Sequence, residues 1–336
     1  MRNTRFLFYL ITIVLILGGL VVGWKVTTLP ANSKDKTQQD FLIVKGQGVG
    51  QVALKLKNQG LIKSDLAFKV YAKITGKDKK IQAGEFRISP SLSLVQVVSA
   101  LVSGPTEFWV TYPEGLRREE IAIRTIKTLN IGQDEAKVFW KEFIAASFEK
   151  EGYLYPDTYL FSQNTKALTV VEKLYSTFNS KVTPQMKEDA KKAGLTLDQV
   201  VVLASLVERE TRTDEERPVV GGILLKRIGA GWPLQIDATL QYFTATQRCK
   251  DANVPLDCEW WKPPVAADKE IKSSYNTYLN QGLPPGPISN PGISSIKAVI
   301  YPKESMYWFY LHDGKGIIHY AETMDAHDEN IRKYIR

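Results

Sequence analysis

Residues 6–24, FLFYLITIVLILGGLVVGW, carry no charged side chain and follow Arg2 and Arg5. At a rise of about 1.5 Å per residue, roughly 20 apolar residues span a bilayer core as a helix, which satisfies every backbone polar group internally. The two arginines favour the cytoplasmic side, which sends the rest of the chain outside, and Trp24 suits an interfacial position. The segments expected are a cytoplasmic tail 1–5, an anchor 6–26 and a polar linker 27–40. The competing reading is a cleaved signal peptide, whose apolar region is shorter and precedes a small-residue site that WKVTTLP does not offer.

The remaining chain has ordinary globular character. Of 336 residues, 44% are hydrophobic and 24% charged, enough for about two domains. The net charge of +8 points to anionic partners, but the lysines are scattered in pairs such as Lys79-Lys80 and Lys191-Lys192, so nucleic acid is not expected. Cys249 and Cys258 flank KDANVPLD. An oxidising compartment favours a disulfide closing that loop; the alternative is two unrelated thiols.

FLIVKG (41–46) reads as a strand, 49–60 and 64–75 as helices with Ser64 as N-cap, and 80–89 as a strand. This βααβ order resembles the LysM-like modules that bind cell-wall glycan, and the module is expected over 41–106. The alternative is a small structural α+β unit. Residues 107–336 read as a mixed α/β domain. Helices fill its first two thirds, and short strands and shaped Gly/Pro/aromatic loops its last third. The fold class is therefore α+β.

The segment LASLVERETRTDEERP (203–218) ends an apolar helix with two acids. On a helical wheel Glu210 has Val207, Leu206 and Leu203 at i−3, i−4 and i−7, whereas Glu208 has Ser205, Ala204 and Val201. At 100° per residue the two acids point about 160° apart, so only one faces a given bond. Glu210, at the tip of the apolar stripe, is the acid expected to be desolvated and held neutral. The structural alternative is an exposed last-turn glutamate paired with Arg209 or Arg212.

LASLVERET, followed by ER, LQIDATLQY and YNTYLNQGLPPGPISNPG, with YPDTYLF before and HYAETMDAHDENI after, resembles the endolytic murein transglycosylase (YceG-like) family. The resemblance covers the anchor and nearly all of 41–336. It implies a membrane-held enzyme of the cytoplasmic (inner) membrane with its catalytic domain on the periplasmic side. Such an enzyme cuts the β-1,4 bond between N-acetylmuramic acid and N-acetylglucosamine in nascent peptidoglycan strands. It leaves 1,6-anhydromuramyl ends, works beside peptidoglycan synthases and uses no cofactor. The second glutamate of the E-x-E-T segment, here Glu210, is the family's catalytic acid. A non-catalytic glycan-binding scaffold of the synthesis machinery is the other function considered.

Substrate contacts are expected from Gln235 and Asp237 in a strand-turn, and from Tyr275, Asn276 and Tyr278. Asn suits an acetamido group, and tyrosine rings suit a sugar face. Ile236 and Ala238 stand where the family more often has Thr or Ser and Pro. Asp237 as a turn cap, and 274–286 as a Pro-fixed loop of packed aromatics, are the structural alternatives. The block Tyr307–Tyr310 reads as core. His312, His319 and His327 match no compact metal-ligand spacing, and no metal is expected. The stretch 245–264 looks longer than the family's loop and is read as an added flap that the sequence leaves unplaced.

Overall fold

The computed structural model describes residues 12, 17–19, 21–105, 107–250 and 254–335. Much of the expected anchor, residues 6–11, 13–16 and 20, lies outside them, while 17–19 and 21–28 are helical. Among the described residues no helix is long and apolar enough to cross a membrane.

The chain divides into two units. The first takes residues up to 109 together with 160–163. It holds β1 (Gln39–Ile43), α1 (Val49–Asn58), α2 (Asp65–Ile74), β2 (Gly84–Ile88) and α3 (Leu94–Ser103), with parts of β3 (Glu107–Thr111) and β4 (Thr158–Ser162). The sheet order is β1-β2-β3-β4, with β1 and β2 antiparallel and Phe41 opposite Phe86. Period-2 alternation puts Phe41 and Ile43 of β1 and Phe86 and Ile88 of β2 in one core with Val52, Leu56 and Phe68 of the helices. The Ser64 hydroxyl caps α2 by accepting from the Ala67 N–H at 3.1 Å. β1 stops earlier than its apolar run suggests. Gly46, at φ 93°, turns the chain, and the Val44 N–H is taken by the Gln47 side chain. The βααβ order is present, but α3 and a further pairing of Glu85 with Glu107 extend it beyond a four-element module.

The second unit takes residues 110–159 and those from 164 onward. Its helices are α4 (Arg118–Thr128), α5 (Gln133–Ala146), α6 (Ala167–Lys181), α7 (Pro184–Lys192), α8 (Leu197–Glu210), α9 (Glu216–Gly229), α10 (Asp237–Cys249), α11 (Ile293–Ile300) and α12 (Met324–Tyr334). The antiparallel hairpin β5 (Phe309–His312) and β6 (Ile318–Ala321) precedes the last helix.

α8 is the axis of this unit. It opens with a capping box in which Thr196 and Gln199 exchange hydrogen bonds of 3.2 and 2.9 Å. Its run of β-branched valines, 200–202, is poor for an isolated helix but is buried here, where packing outweighs propensity. α9 crosses close to α11. A Cβ on Gly221 would meet the Ala298 carbonyl oxygen at 2.8 Å, and one on Gly222 the Lys303 carbonyl oxygen at 2.5 Å, so that approach requires glycine.

The strand-turn expected at LQIDATLQY is instead a turn into a helix. Gln235 sits at φ 56°, its N–H bonds the Thr277 carbonyl and the Ile236 N–H bonds the Thr277 hydroxyl. With those donors spent on the 277 loop, the chain starts α10 at Asp237 and buries Ala238, Leu240 and Ala245.

Candidate active site

The two acids at the end of α8 reach different surroundings. Glu208 turns inward: its carboxylate pairs with Arg217 of α9 at 3.1 Å and accepts from the Gly292 N–H at 2.9 Å and the Ser295 hydroxyl at 2.8 Å. All its bonds serve to join α8, α9 and the start of α11. A Cβ at Gly292 of ISNPG would meet the tip of the Glu114 side chain, which would have to swing aside. The rest of that motif is scaffolding too. Ser289 donates to the Ser205 carbonyl, and Asn290 bridges Leu116, Leu154 and Glu151. Burial, and next the charge of Glu119, push the Glu151 carboxyl up to about 8.

Glu210 instead faces a cavity of about 200 Å³ that it shares with Arg227, Gln235, Tyr278, Phe309 and Tyr310, and with Met324 and His327 of α12. Val207, Leu206 and Leu203, the residues beneath it on α8, are buried. Crowding strips water from its carboxyl and raises its pKa from the ordinary 4.5 to about 7. The Tyr310 hydroxyl, which donates to Glu210 Oε2 at 2.9 Å, and the Arg227 and Arg209 guanidiniums pull the other way, while the Asp237 charge adds to the rise. Glu210 nonetheless keeps some accessible surface, as a group that must meet a ligand requires. Near neutral pH its protonated and ionised forms are both populated.

Tyr310 is pushed well above its usual phenol range by burial and by Glu210, so it remains a donor. Arg227 spends its guanidinium on main chain: its Nε and Nη2 bond the Trp308 carbonyl at 2.9 and 2.7 Å, and its Nη1 bonds the Leu234 carbonyl at 2.7 Å. It thereby holds together two walls of the cavity, the entry to β5 and the 234–236 turn. On the other side of α8 the Arg209 guanidinium lies over the Trp261 ring at 3.6 Å. Trp261 is itself fixed by an Nε1–H bond of 2.9 Å to Glu120.

Of the side chains expected from sequence to meet substrate, Gln235 and Tyr278 line the cavity with Glu210. Asp237 is exposed at the first turn of α10 and accepts from the Tyr278 hydroxyl at 2.6 Å. Burial and Asp237 raise the Tyr278 pKa. Asn276 and Tyr275 are placed otherwise. Asn276 is fully buried; its amide donates to the Lys269 and Ile271 carbonyls, and its oxygen accepts from the Tyr278 N–H. Both of its N–H donors are spent on main chain, and burial keeps its oxygen from a ligand. Tyr275 leans on Tyr242, with ring centroids 5.1 Å apart and planes tilted by 36°, in the electrostatic neighbourhood of Glu151 and Arg118 rather than of Glu210.

Cys249 and Cys258 form a disulfide. Residues 251–253 of the flap lie outside the described residues, and its far arm packs Trp260 under the Arg117 guanidinium at 4.7 Å. The three histidines go to separate partners: His312 to Glu216 at 3.1 Å, His319 to Asp313 at 3.2 Å, and His327 to the Phe309 ring. Sequence reasoning missed Tyr310, Arg227 and His327 as neighbours of Glu210. Alternation within β5 puts Tyr310 and His312 on one face, which carries some of that signal. Nothing local in α9 marks Arg227.

A mixed α+β protein with one desolvated carboxyl in an aromatic-walled cleft is the class that this geometry defines. The YceG-like family model matches residues 41–333, and the chain belongs to that family. An endolytic murein transglycosylase of Bacillus subtilis is 29% identical over 350 residues, covering 96% of this chain and 91% of the relative. A protein of the same name from Streptococcus pneumoniae (strain D39) is 26% identical over 365 residues, covering 97% of this chain and 64% of the relative. The crystal structure of a yceG-like protein from Listeria monocytogenes shares the fold, with a TM-score of 0.60 at 24% identity over 88% of this chain and 99% of that one.

Proposed function

We propose that this chain is a lytic transglycosylase that cuts peptidoglycan strands internally, at the β-1,4 bond between N-acetylmuramic acid and N-acetylglucosamine. The reading is carried by one observation: a carboxyl held near pKa 7 by burial, hydrogen-bonded to Tyr310 in a cavity open to ligand. The names of the relatives support the substrate and the reaction class.

The reaction needs a single group in two states. Neutral Glu210 donates its proton to the bridging oxygen as the muramyl C1–O bond breaks and positive charge builds at C1. The resulting carboxylate, stabilised by the Tyr310 hydroxyl, then removes the proton of the muramyl C6 hydroxyl. That oxygen bonds to C1, which closes the 1,6-anhydro ring and restores neutral Glu210. No water is consumed. A hydrolase needs a second carboxylate to direct water or act as nucleophile, whereas here the nucleophile is already part of the substrate. Asp237, tied to Tyr278, orients that ring beside the sugar and supports the raised pKa of the acid. Gln235 offers its amide to the glycan.

The same reading puts the N-terminal run in the cytoplasmic membrane, the two units on its outer side near peptidoglycan synthases, and a LysM-like glycan-holding role in the first unit. The test is digestion of uncut glycan strands by detergent-solubilised full-length protein, wild type against Glu210→Gln. Mass spectra with anhydromuramyl ends from wild type alone are expected. Reducing ends would mean hydrolysis, and absence of products from wild type would favour a glycan-binding scaffold.

A further inference from the structure

Trp232 is 42% exposed, unusual for a ring that brings so much apolar surface into water. It is not a loose side chain. Gly231, at φ 68°, ends α9 and turns the chain, the Trp232 N–H returns to the Arg227 carbonyl at 2.8 Å, and Pro233 bridges to Gln281. Its ring leans on Trp308, with centroids 4.7 Å apart and planes at 41°, and approaches Phe309 at 6.0 Å. Trp308 in turn carries the Lys226 ammonium 4.7 Å from its ring centroid, and its carbonyl is held by Arg227. Phe309 is a wall of the Glu210 cavity. Trp232 therefore stands, half in solvent, against an aromatic residue that also lines the cavity of the acid.

We propose that Trp232 is a sugar-stacking residue of the glycan site. On this proposal, which rests on the function proposed above, its open ring carries a pyranose adjoining the one attacked at Glu210. A pyranose in a β-1,4 strand shows a flat array of C–H bonds with hydroxyl and acetamido groups around its rim. A rigid, water-exposed indole covers that face at little entropic cost and leaves the rim to polar groups. Gln235, three residues on, lines the Glu210 cavity and supplies one such group. The approach of Trp232 to Phe309, a wall of the acid's cavity, is what selects a glycan as the occupant over a lipid surface.

The test uses full-length protein in detergent and glycan strands stripped of stem peptides. Trp232→Ala is expected to raise KM for cleavage about tenfold, with a much smaller fall in kcat. Trp232→Phe should recover most of the loss, and Trp232→Leu, apolar but without a flat face, should not. In the Glu210→Gln background, tryptophan emission should shift on adding the strands, and the shift should shrink with Trp232→Phe. Unchanged KM in Trp232→Ala, or equal recovery by Leu and Phe, overturns the inference while leaving the enzyme reading intact. Emission that responds to phosphatidylglycerol vesicles and not to strands also overturns it. A wild type that binds strands through Trp232 but cuts none sinks the proposed reaction instead.

Discussion

The Tyr310 hydroxyl donates to Glu210 Oε2 at 2.9 Å across a separation of 100 residues, joining a short β-hairpin to the end of the central helix of its unit. This bond favours the ionised form of an acid that burial pushes toward the neutral one. On the proposed mechanism it matters most at the moment the proton has left. Tyr310→Phe should therefore lower kcat by about ten- to hundredfold, the value of one hydrogen bond to a charged group. Because that bond lowers the Glu210 pKa, its removal should move the alkaline limb of the kcat/KM profile to higher pH. An unmoved limb would separate Tyr310 from the acid.

Glu210 also leaves a signature in stability. Its folded pKa of about 7 lies above the ordinary 4.5, so the unfolded chain releases this proton first as pH rises. The desolvated group thus costs nothing below the lower value. It destabilises the fold progressively between the two, by no more than about 3 kcal/mol, and the cost stays constant above. Replacing it with a neutral isostere removes that slope. Glu210→Gln should raise Tm relative to wild type at about pH 8 and much less at about pH 4. Equal differences at both values would mean that the carboxyl is not desolvated.

Glu208 should respond in the opposite way. Glu208→Ala leaves Arg217 with less compensation in a buried site and removes the acceptor of Gly292 and Ser295, a loss of about 3–5 kcal/mol. Thermal melting should show it as a large fall in Tm, with the specific activity of the folded fraction below the transition largely kept. The proposed roles predict that Glu210→Gln melts like a folded protein and makes no product. Matching behaviour of the two variants would remove the distinction between them.

Asn276→Ala separates a loop-building residue from a sugar-reading one. The substitution removes the partner of the Lys269 and Ile271 carbonyls and of the Tyr278 N–H, part-buried groups that water reaches incompletely, at a cost of up to about 1–3 kcal/mol in all. Lower Tm, and lower kcat through a displaced Tyr278, are expected. A selective rise in KM with unchanged Tm would restore the acetamido-reading role.

The disulfide closes a short loop, with a sequence separation of 9. Chain entropy assigns such a loop about 2–3 kcal/mol. Reduction should lower Tm accordingly and increase proteolysis within 250–257. The change should also reach tryptophan emission through Trp260 and Trp261, which pack beside Arg117 and Arg209. Identical melting with and without reductant would show that the loop is held by those rings alone.

Much of the local architecture was legible in the chain because it rests on near neighbours. The α8 stripe of Leu203, Leu206 and Val207 follows from 3.6-residue periodicity, and the caps at Ser64 and Thr196 from hydroxyls aimed at amides three residues on. The opposed directions of Glu208 and Glu210 are plain helical geometry. Other features depend on what comes from elsewhere in the chain. The turn at Gln235 became a helix start because Thr277 takes its donors. Asn276 is spent on carbonyls only five and seven residues back, but in a loop without the regular spacing that makes a helix legible. Sequence by itself determined which helix bears the acid and which face that acid occupies. Only the tertiary structure decided that Tyr310 and Arg227 would share its cavity. The physical reason is range: helical spacing is fixed by bonds a few residues apart, whereas the hydration and partners of a carboxyl depend on strands and loops about a hundred residues away.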